Sequence, residues 1–156
     1  IEVFDTPSYF KDIHKYHQII HETDLANNFG MYYKKYKTKL SKYMQTAIAK
    51  GNKHSAKEYA EAIDFKKRSY ESYQEVFEDY HGVLTPSSPG VALKGLKNTG
   101  TAEFNKVWSY LGTPCISLPL LEGENNLPLG IQLIGDRYDD HRFLGVANWL
   151  EKECNN

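Results

Sequence analysis

The chain has 156 residues, enough for one ordinary domain with a hydrophobic core, and 40% of them are hydrophobic. Its formal net charge of −1 excludes nucleic-acid binding driven by overall charge, and its two cysteines are too few for a disulfide scaffold. The sequence has no apolar run of about 18 residues and no basic-then-apolar N-terminal segment, so a reducing, cytoplasmic location without membrane association is expected.

Helix signals come first along the chain. Thr6 and Pro7 are typical of a helix start, because the threonine hydroxyl can cap the helix and proline needs no N–H partner at the first position. Gly30 is expected to break or bend this helix. Between these two points, apolar side chains recur at helical spacing, at Tyr9, Ile13, Tyr16 and Ile20.

Two more helices follow in the first half. One is predicted over about residues 38–50, with Gly51 as its stop. The next starts at Ser55 and Glu58, which match a capping box, a pair of side chains that satisfy each other's backbone N–H groups. Its apolar periodicity continues to about His81, which predicts a helix close to 40 Å long.

After Gly82 the pattern changes from helical to mixed. Residues 83–85 form a short strand candidate, and residues 86–101 are predicted to be a loop that starts rigidly at its prolines. A short helix is predicted over residues 103–111, with Thr101 as its cap.

Two apolar runs, residues 115–121 and 129–134, are separated by a polar turn and predict a hairpin or two neighbouring strands. A final helix begins at Asp139 or Asp140. Its inward side is predicted to hold Phe143, Leu144, Ala147 and Leu150.

The predicted organisation is α/β, with a helical segment (residues 1–81) followed by a strand–loop–strand–helix segment (residues 82–156). Both apolar runs lack alternation, which is typical of strands covered on both faces. A sheet of about three such strands needs more cover than the chain offers, so another chain or a missing part is expected to supply it. The first residue is Ile rather than Met, which indicates a processed chain or a piece of something longer.

A metal site and a nucleophile are the weaker interpretations of two polar clusters. His14, His17 and His21 fall near one face of a helix, but no matching ligand set follows, and the polar rim of an amphipathic helix is preferred. Ser87 and Ser88 lie between prolines without a nucleophile-elbow motif, which favours a structural turn.

The lysines and tyrosines of residues 32–57 allow two interpretations. Lysine interleaved with stacking aromatic rings is the composition of a surface for single-stranded nucleic acid, and a non-catalytic binding or structural module is the alternative function. The preferred interpretation is a solvated basic face whose tyrosines pack inward, because the segment has no arginine to read phosphates. Nucleic acid is therefore not the expected partner.

Three motifs in order resemble the amidase signature family, in its C-terminal third. They are DYHGVLTPSSP at residues 79–89, LGTPCISLP at residues 111–119 and LPLGIQLIG at residues 127–135. The resemblance implies part of an α/β/α amidase-type fold with a mixed central sheet, and it implies hydrolysis of a C–N amide bond by a serine nucleophile. In that family a second serine and a lysine activate this nucleophile.

The family's catalytic residues match no position of this sequence. The glycine-rich Ser-Ser motif and the lysine lie upstream of the matched segment, so no catalytic residue, metal or cofactor is predicted here. The chain alone is not expected to be an amidase. Its expected partners are a small-molecule amide substrate and either the missing N-terminal amidase half or a partner chain.

By this resemblance, the chain contributes core strands and a wall of the substrate pocket. The loop 86–101 and the region of Trp108 are expected near the substrate. Relatives that act on aminoacyl-tRNA carry an Asp where Ala102 stands in this neighbourhood, which favours a simple amide hydrolase. The predicted pocket residues are Thr85, Ser87, Trp108 and Gln132.

Overall fold

The computed structural model describes residues 1–154, and the chain forms two compact units, residues 1–69 and a second unit that begins at Tyr70. The helices are α1 (Phe10–Tyr36), α2 (Lys42–Gly51), α3 (Ala56–Gln74), α4 (Val76–Asp79), α5 (Glu103–Leu111) and α6 (Asp140–Cys154). The strands are β1 (Val83–Pro86), β2 (Cys115–Glu122) and β3 (Pro128–Ile134), and short 3₁₀ turns span Lys37–Lys39 and Glu124–Asn126.

Helix α1 differs from the prediction at its start and in its middle. It begins at Phe10, whose N–H donates to the carbonyl of Pro7 at 2.9 Å, and no side chain caps it, so Thr6 is not the cap. Gly30 neither breaks nor ends it, because the helix runs 27 residues to Tyr36. A glycine inside a helix lowers helix stability by only about 1 kcal/mol relative to alanine, and the helix-forming residues around it can outweigh this loss.

Side-chain caps define the N-termini of α2 and α3. The Ser41 hydroxyl accepts a hydrogen bond from the Met44 N–H at 3.2 Å and opens α2, four residues after the predicted position. The predicted capping box is confirmed at α3: the Glu58 N–H donates to the Ser55 hydroxyl at 3.2 Å, and the Ser55 N–H donates to the Glu58 carboxylate at 2.8 Å. That helix ends at Gln74, and a separate turn, α4, continues to Asp79 rather than His81.

A buried carboxylate, Glu22, joins α1 to the end of α2. Gln18 Nε2 donates to it at 2.7 Å, His54 Nε2 lies 2.7 Å from its other oxygen, and Lys50 Nζ lies 3.7 Å away. Burial by itself would raise the pKa of Glu22, but the hydrogen bonds from Gln18 and His54 and the charges of Lys50 and His54 outweigh it and hold the pKa below 4.5. Gly51 is required there, because a side chain would strike the backbone of Glu22.

The histidines of α1 serve local contacts. The rings of His17 and His21 stack at 5.9 Å, and His21 Nε2 lies 2.9 Å from the Tyr43 hydroxyl. Over residues 1–154, no group of three His, Cys, Asp or Glu side chains could hold a metal ion. None of the helices in that range is long and apolar enough to cross a membrane.

The tyrosines of the basic segment, residues 32–57, do not pack inward as the preferred interpretation of the sequence predicted. Tyr32, Tyr36 and Tyr43 are exposed, and Tyr33 is half-buried. No residue of α1 beyond Ala26 is buried, so the end of this helix has little role in the core.

The second unit is built on a three-stranded antiparallel sheet in the order β1-β3-β2. The two apolar runs are therefore confirmed as neighbouring strands, and α5 ends in the left-handed Gly112, where φ is 71°. Thr101 is not the cap of α5, since Ala102 precedes the helix without a side-chain cap.

Helix α6 covers part of one sheet face. Leu133, Phe143 and Ala147 form the buried cluster there, and Leu84 and Ile116 pack against it. The prediction for Leu144 is wrong, because that side chain is 55% exposed. Strand β2 is little covered, as expected for a sheet that needs more cover than the chain offers: Leu118 is its only buried residue, and Leu121 is 48% exposed.

Candidate functional site

A row of polar side chains crosses the sheet opposite the face that α6 covers. Thr85 of β1 pairs with Gln132 of β3, which pairs in turn with Ser117 of β2. Paired residues of neighbouring strands point to the same face, while Leu84 and Ile116, one position earlier, point to the other. The register therefore makes this face polar where the opposite face is apolar.

Gln132 is the centre of this row. Its side chain is 3% exposed, and Nε2 donates to Thr85 Oγ1 at 2.9 Å, to the Pro86 carbonyl at 3.1 Å and to the Phe104 carbonyl at 3.0 Å. An amide nitrogen carries two protons, so three acceptors share them. One buried side chain thus holds the end of β1 and the start of α5 against the central strand.

Ser87 ties the following loop to the same place. Its N–H donates to the Gly130 carbonyl at 2.9 Å, and its hydroxyl lies 2.7 Å from that of Ser117. Asn105 Nδ2 of α5 donates to the Ser87 carbonyl at 3.3 Å. These contacts fix the direction in which the chain leaves the sheet.

Gly130 makes room for the two hydroxyls. A Cβ at this position would lie 2.6 Å from Ser117 Oγ and 2.9 Å from Ser87 Oγ, closer than side chains approach. The glycine of the third motif is therefore used for close approach. The hydroxyls of Ser87 and Ser117 lie directly over β3 because Gly130 has no side chain to displace them.

The chemistry of this cluster is that of binding. Hydroxyls and the Asn105 amide can donate to and accept from a polar ligand. Within residues 1–154 neither Ser87 nor Ser117 hydrogen-bonds to a side chain that could act as a base, which a serine nucleophile requires. Burial raises the pKa of the nearby Cys115 thiol, so this side chain is protonated at neutral pH.

Trp108 lies apart from the polar row. It is 5% exposed, and its ring centroid lies 5.4 Å from that of Tyr73. It stands one helical turn after Phe104, whose carbonyl Gln132 holds. Trp108 therefore supports α5 from the core.

A second polar cluster closes the corner between α5 and β2. The Tyr70 hydroxyl donates to Asp136 at 2.6 Å, and the guanidinium of Arg137 lies 3.6 Å from the Tyr70 ring centroid and donates to the Leu111 carbonyl. Burial, and the hydrogen bond to and the charge of Asp136, raise the pKa of Tyr70 to about 12. The Arg137 N–H also donates to the Asp136 carboxylate at 2.8 Å, and together with the contact to the Leu111 carbonyl this gives the cluster a structural role.

An apolar cavity of about 170 Å³ opens beside the three strands. Its lining includes Leu84 and Pro86 of β1, Leu121 of β2, and Leu129 and Ile131 of β3. Leu121 is 48% exposed, so the apolar surface of the sheet is incompletely covered at this end of β2.

Of the pocket residues predicted from the sequence, the structure brings together Thr85, Ser87 and Gln132. Ser117 and Asn105 were missed. Ser117 could have been found from the strand pair, because its position in β2 faces Gln132 once the register is known. Asn105 carries no signal of its own in the sequence.

Known proteins resemble this chain in sequence. The family model described as Amidase matches residues 4–144. The A subunit of glutamyl-tRNA(Gln) amidotransferase from Alkaliphilus metalliredigens (strain QYMF) is 35% identical over 102 residues, which cover 61% of this chain and 21% of that protein. The corresponding protein of Ehrlichia chaffeensis (strain Arkansas) is 36% identical over 86 residues, covering 51% of this chain and 18% of that protein.

Solved structures agree on the fold. A structure described as an amidase superposes with a TM-score of 0.82 at 19% identity, covering 97% of this chain and 38% of that one. A 6-aminohexanoate cyclic dimer hydrolase superposes with a TM-score of 0.68 at 16% identity, covering 90% of this chain and 34% of that one. The chain thus corresponds to part of the α/β fold of these enzymes, and it spans about a fifth of the length of the curated relatives it matches.

Proposed function

The chain belongs to the amidase family, and on this premise we propose that it is the C-terminal part of a hydrolase of C–N amide bonds. The serine nucleophile of this hydrolase lies outside these residues, in the N-terminal amidase part or a partner chain. The chain supplies core strands of the sheet and one wall of the substrate pocket. A cytoplasmic location belongs to the same proposal and is supported by the two free cysteines.

The observation that carries the proposal is the buried amide of Gln132. Holding three acceptors at one point makes the polar face rigid, and rigid placement of a few polar groups is what a substrate site needs. The groups then presented toward a substrate are those of Thr85, Ser87 and Asn105. Trp108 contributes by keeping α5 in place.

The proposed substrate is a small amide. Hydroxyl and carboxamide groups pair with both the N–H and the C=O of an amide, and the described face offers them without a charged side chain. The curated relatives are named for tRNA-dependent amidotransfer, so glutamine belongs among the substrates tested. The apolar cavity beside β2 is proposed to receive the remaining part of the fold.

The proposal is tested by replacing the matched region of an active amidase with this chain and measuring hydrolysis of a panel of amides. We expect the isolated chain to be inactive and the chimaera to be active. Asn105→Ala should raise KM about tenfold with little change in kcat, because one hydrogen bond to bound substrate is lost. Asn148→Ala, at an exposed site on α6, is the matched control.

Two results contradict different parts of the proposal. Hydrolysis by the isolated chain that is lost in Ser87→Ala would place the nucleophile in this chain and refute the division between the two parts. If the chimaera is folded and active but its KM does not respond to Asn105→Ala or Thr85→Ala, the chain is part of a hydrolase but does not form a wall of the substrate pocket.

A further inference from the structure

The end of α1 and the start of α2 form a basic aromatic surface, here called the lysine–tyrosine surface, consisting of residues 27–39 and Tyr43. Residues 25–57 contain no acidic side chain and eight lysines. Within residues 27–39 there is no Leu, Ile or Val, and Met31 is the only non-aromatic apolar side chain of any size. The surface therefore combines positive charge with flat rings and very little aliphatic area.

The rings of this surface face solvent. Phe29 is 40% exposed, Tyr32 58%, Tyr36 39% and Tyr43 62%. Phe29 and Tyr32 are one helical turn apart, and their ring centroids lie 6.3 Å from each other. Part of each ring is therefore open to solvent, where it can contact a planar group.

Lysine ammonium groups lie near two rings of this surface, those of Tyr33 and of the exposed Tyr36. Lys37 Nζ lies 5.1 Å from the centroid of Tyr33, and Lys35 and Lys39 lie 5.3 and 5.4 Å from the centroid of Tyr36. Positive charge therefore lies beside the rings of Tyr33 and Tyr36. A ligand that laid a planar group on these rings would bring its anionic groups to the lysines.

We propose that the lysine–tyrosine surface binds single-stranded nucleic acid without strong sequence preference. Stacked bases and a phosphate backbone present the two features that this surface matches, planar groups and regularly spaced negative charge. An acidic protein would pair with the lysines but would leave the exposed rings unexplained. An anionic membrane would need a broad apolar face to bury, and Phe29 and Met31 are the only side chains without a polar group in residues 27–39.

The charge contribution is tested with a fluorescent 12-nucleotide oligouridylate and the full chain, by fluorescence anisotropy over a range of salt concentrations. We expect log K to fall linearly with log salt, with a slope of about −0.7 for each phosphate neutralised. The triple variant Lys34→Glu, Lys35→Glu, Lys37→Glu should lower affinity at least about tenfold and flatten this slope. A variant with the same charge change elsewhere, Lys11→Glu, Lys106→Glu, Lys152→Glu, is the control and should retain most of the affinity.

The stacking contribution is tested with Tyr32→Ala and Tyr36→Ala, and with Tyr→Phe at the same positions. The alanine variants should lose about tenfold in affinity for oligouridylate with an unchanged salt slope, and the phenylalanine variants should bind normally. Affinity for heparin, which has charge but no bases, should not change on tyrosine removal. Circular dichroism confirms that each variant is folded.

The proposal is overturned by any of three results: no binding to the oligonucleotide at low salt, equal effects of the two triple variants, or no effect of tyrosine removal on oligonucleotide affinity. Vesicles containing phosphatidylserine serve as the competing surface. Tighter binding to these vesicles than to the oligonucleotide would assign the surface to a membrane instead.

Discussion

Replacing Gln132 by leucine tests whether its amide organises the polar face. The side chain is 3% exposed and holds two backbone carbonyls, those of Pro86 and Phe104. Leaving them without this donor costs about 1–3 kcal/mol for each one that water cannot reach. Leucine recovers about 1 kcal/mol by burying more apolar surface, so we expect Gln132→Leu to lower the free energy of unfolding by about 2 kcal/mol.

The assay is urea unfolding followed by tryptophan fluorescence. Both tryptophans, Trp108 and Trp149, belong to the second unit, so the signal reports on the unit that contains Gln132. With an m-value of about 2 kcal/mol/M, the midpoint should fall by about 1 M. Gln74→Leu, at an exposed helix end, is the control and should change stability by less than about 0.5 kcal/mol.

A second variant separates hydrogen bonding from shape. In Gln132→Glu the ionised carboxylate faces carbonyl oxygens and cannot donate, whereas the protonated acid can. Burial disfavours the ionised form, so the pKa of this glutamate should be higher in the folded chain than its unfolded value of about 4.3. Its destabilisation relative to the unchanged chain should therefore shrink as pH falls from that raised pKa toward about 4. If Gln132→Leu behaves like Gln74→Leu, or if the glutamate variant shows no such pH response, the hydrogen-bonding role of Gln132 is wrong.

Three further predictions use the same unfolding measurements, with circular dichroism for the first unit. Ser55→Ala should cost about 1 kcal/mol, because the Glu58 N–H loses its cap; an equal loss in Ser72→Ala, at an exposed position within α3, would contradict this. The pKa of Glu22 is lowered in the folded protein, so its carboxylate stabilises the fold above its unfolded pKa, and this stability is lost as pH falls through the folded pKa. Glu22→Gln should therefore flatten the pH dependence of the free energy of unfolding below about pH 5. An unchanged pH profile would count against the buried network. Gly130→Ala should lower the free energy of unfolding by about 1–2 kcal/mol, because the new methyl group presses on the hydroxyl of Ser117. Adding Ser117→Gly to the same chain should recover part of this loss. If the effects of the two substitutions simply add, the close approach is unimportant.

The sequence was sufficient where structure is decided by neighbours along the chain. Ser55 and Glu58 predicted the start of α3 because a capping box needs only four residues. The two apolar runs predicted neighbouring strands for a similar reason, since a short polar turn leaves few ways to connect them. Predictions for Thr6, Thr101 and Gly30 failed, because packing elsewhere in the chain decided where those helices begin and whether they continue.

The site could be predicted only in part for a related physical reason. The amidase-like motifs contain Thr85, Ser87 and Gln132, and the motifs predicted these residues as part of the site. Ser117 lies in the second of these motifs but reaches the site only through strand register, and Asn105 reaches it through the placement of α5, which no local pattern encodes. The exposure of Leu144 shows the same limit, since a helical period predicts a face but not a partner for it.

The two proposals concern different units and can fail separately. The hydrolase proposal depends on Gln132 and Ser87 in the second unit, and its readout is KM for an amide. The nucleic-acid proposal depends on exposed rings of the first unit, and its readout is a salt slope. If Tyr36→Ala weakens oligonucleotide binding while amide hydrolysis by the chimaera is unchanged, the lysine–tyrosine surface is a second function and not a part of the amide site. If the same variant changes KM, the surface acts on the amide substrate, and charge complementarity to nucleic acid is not the reason for its composition.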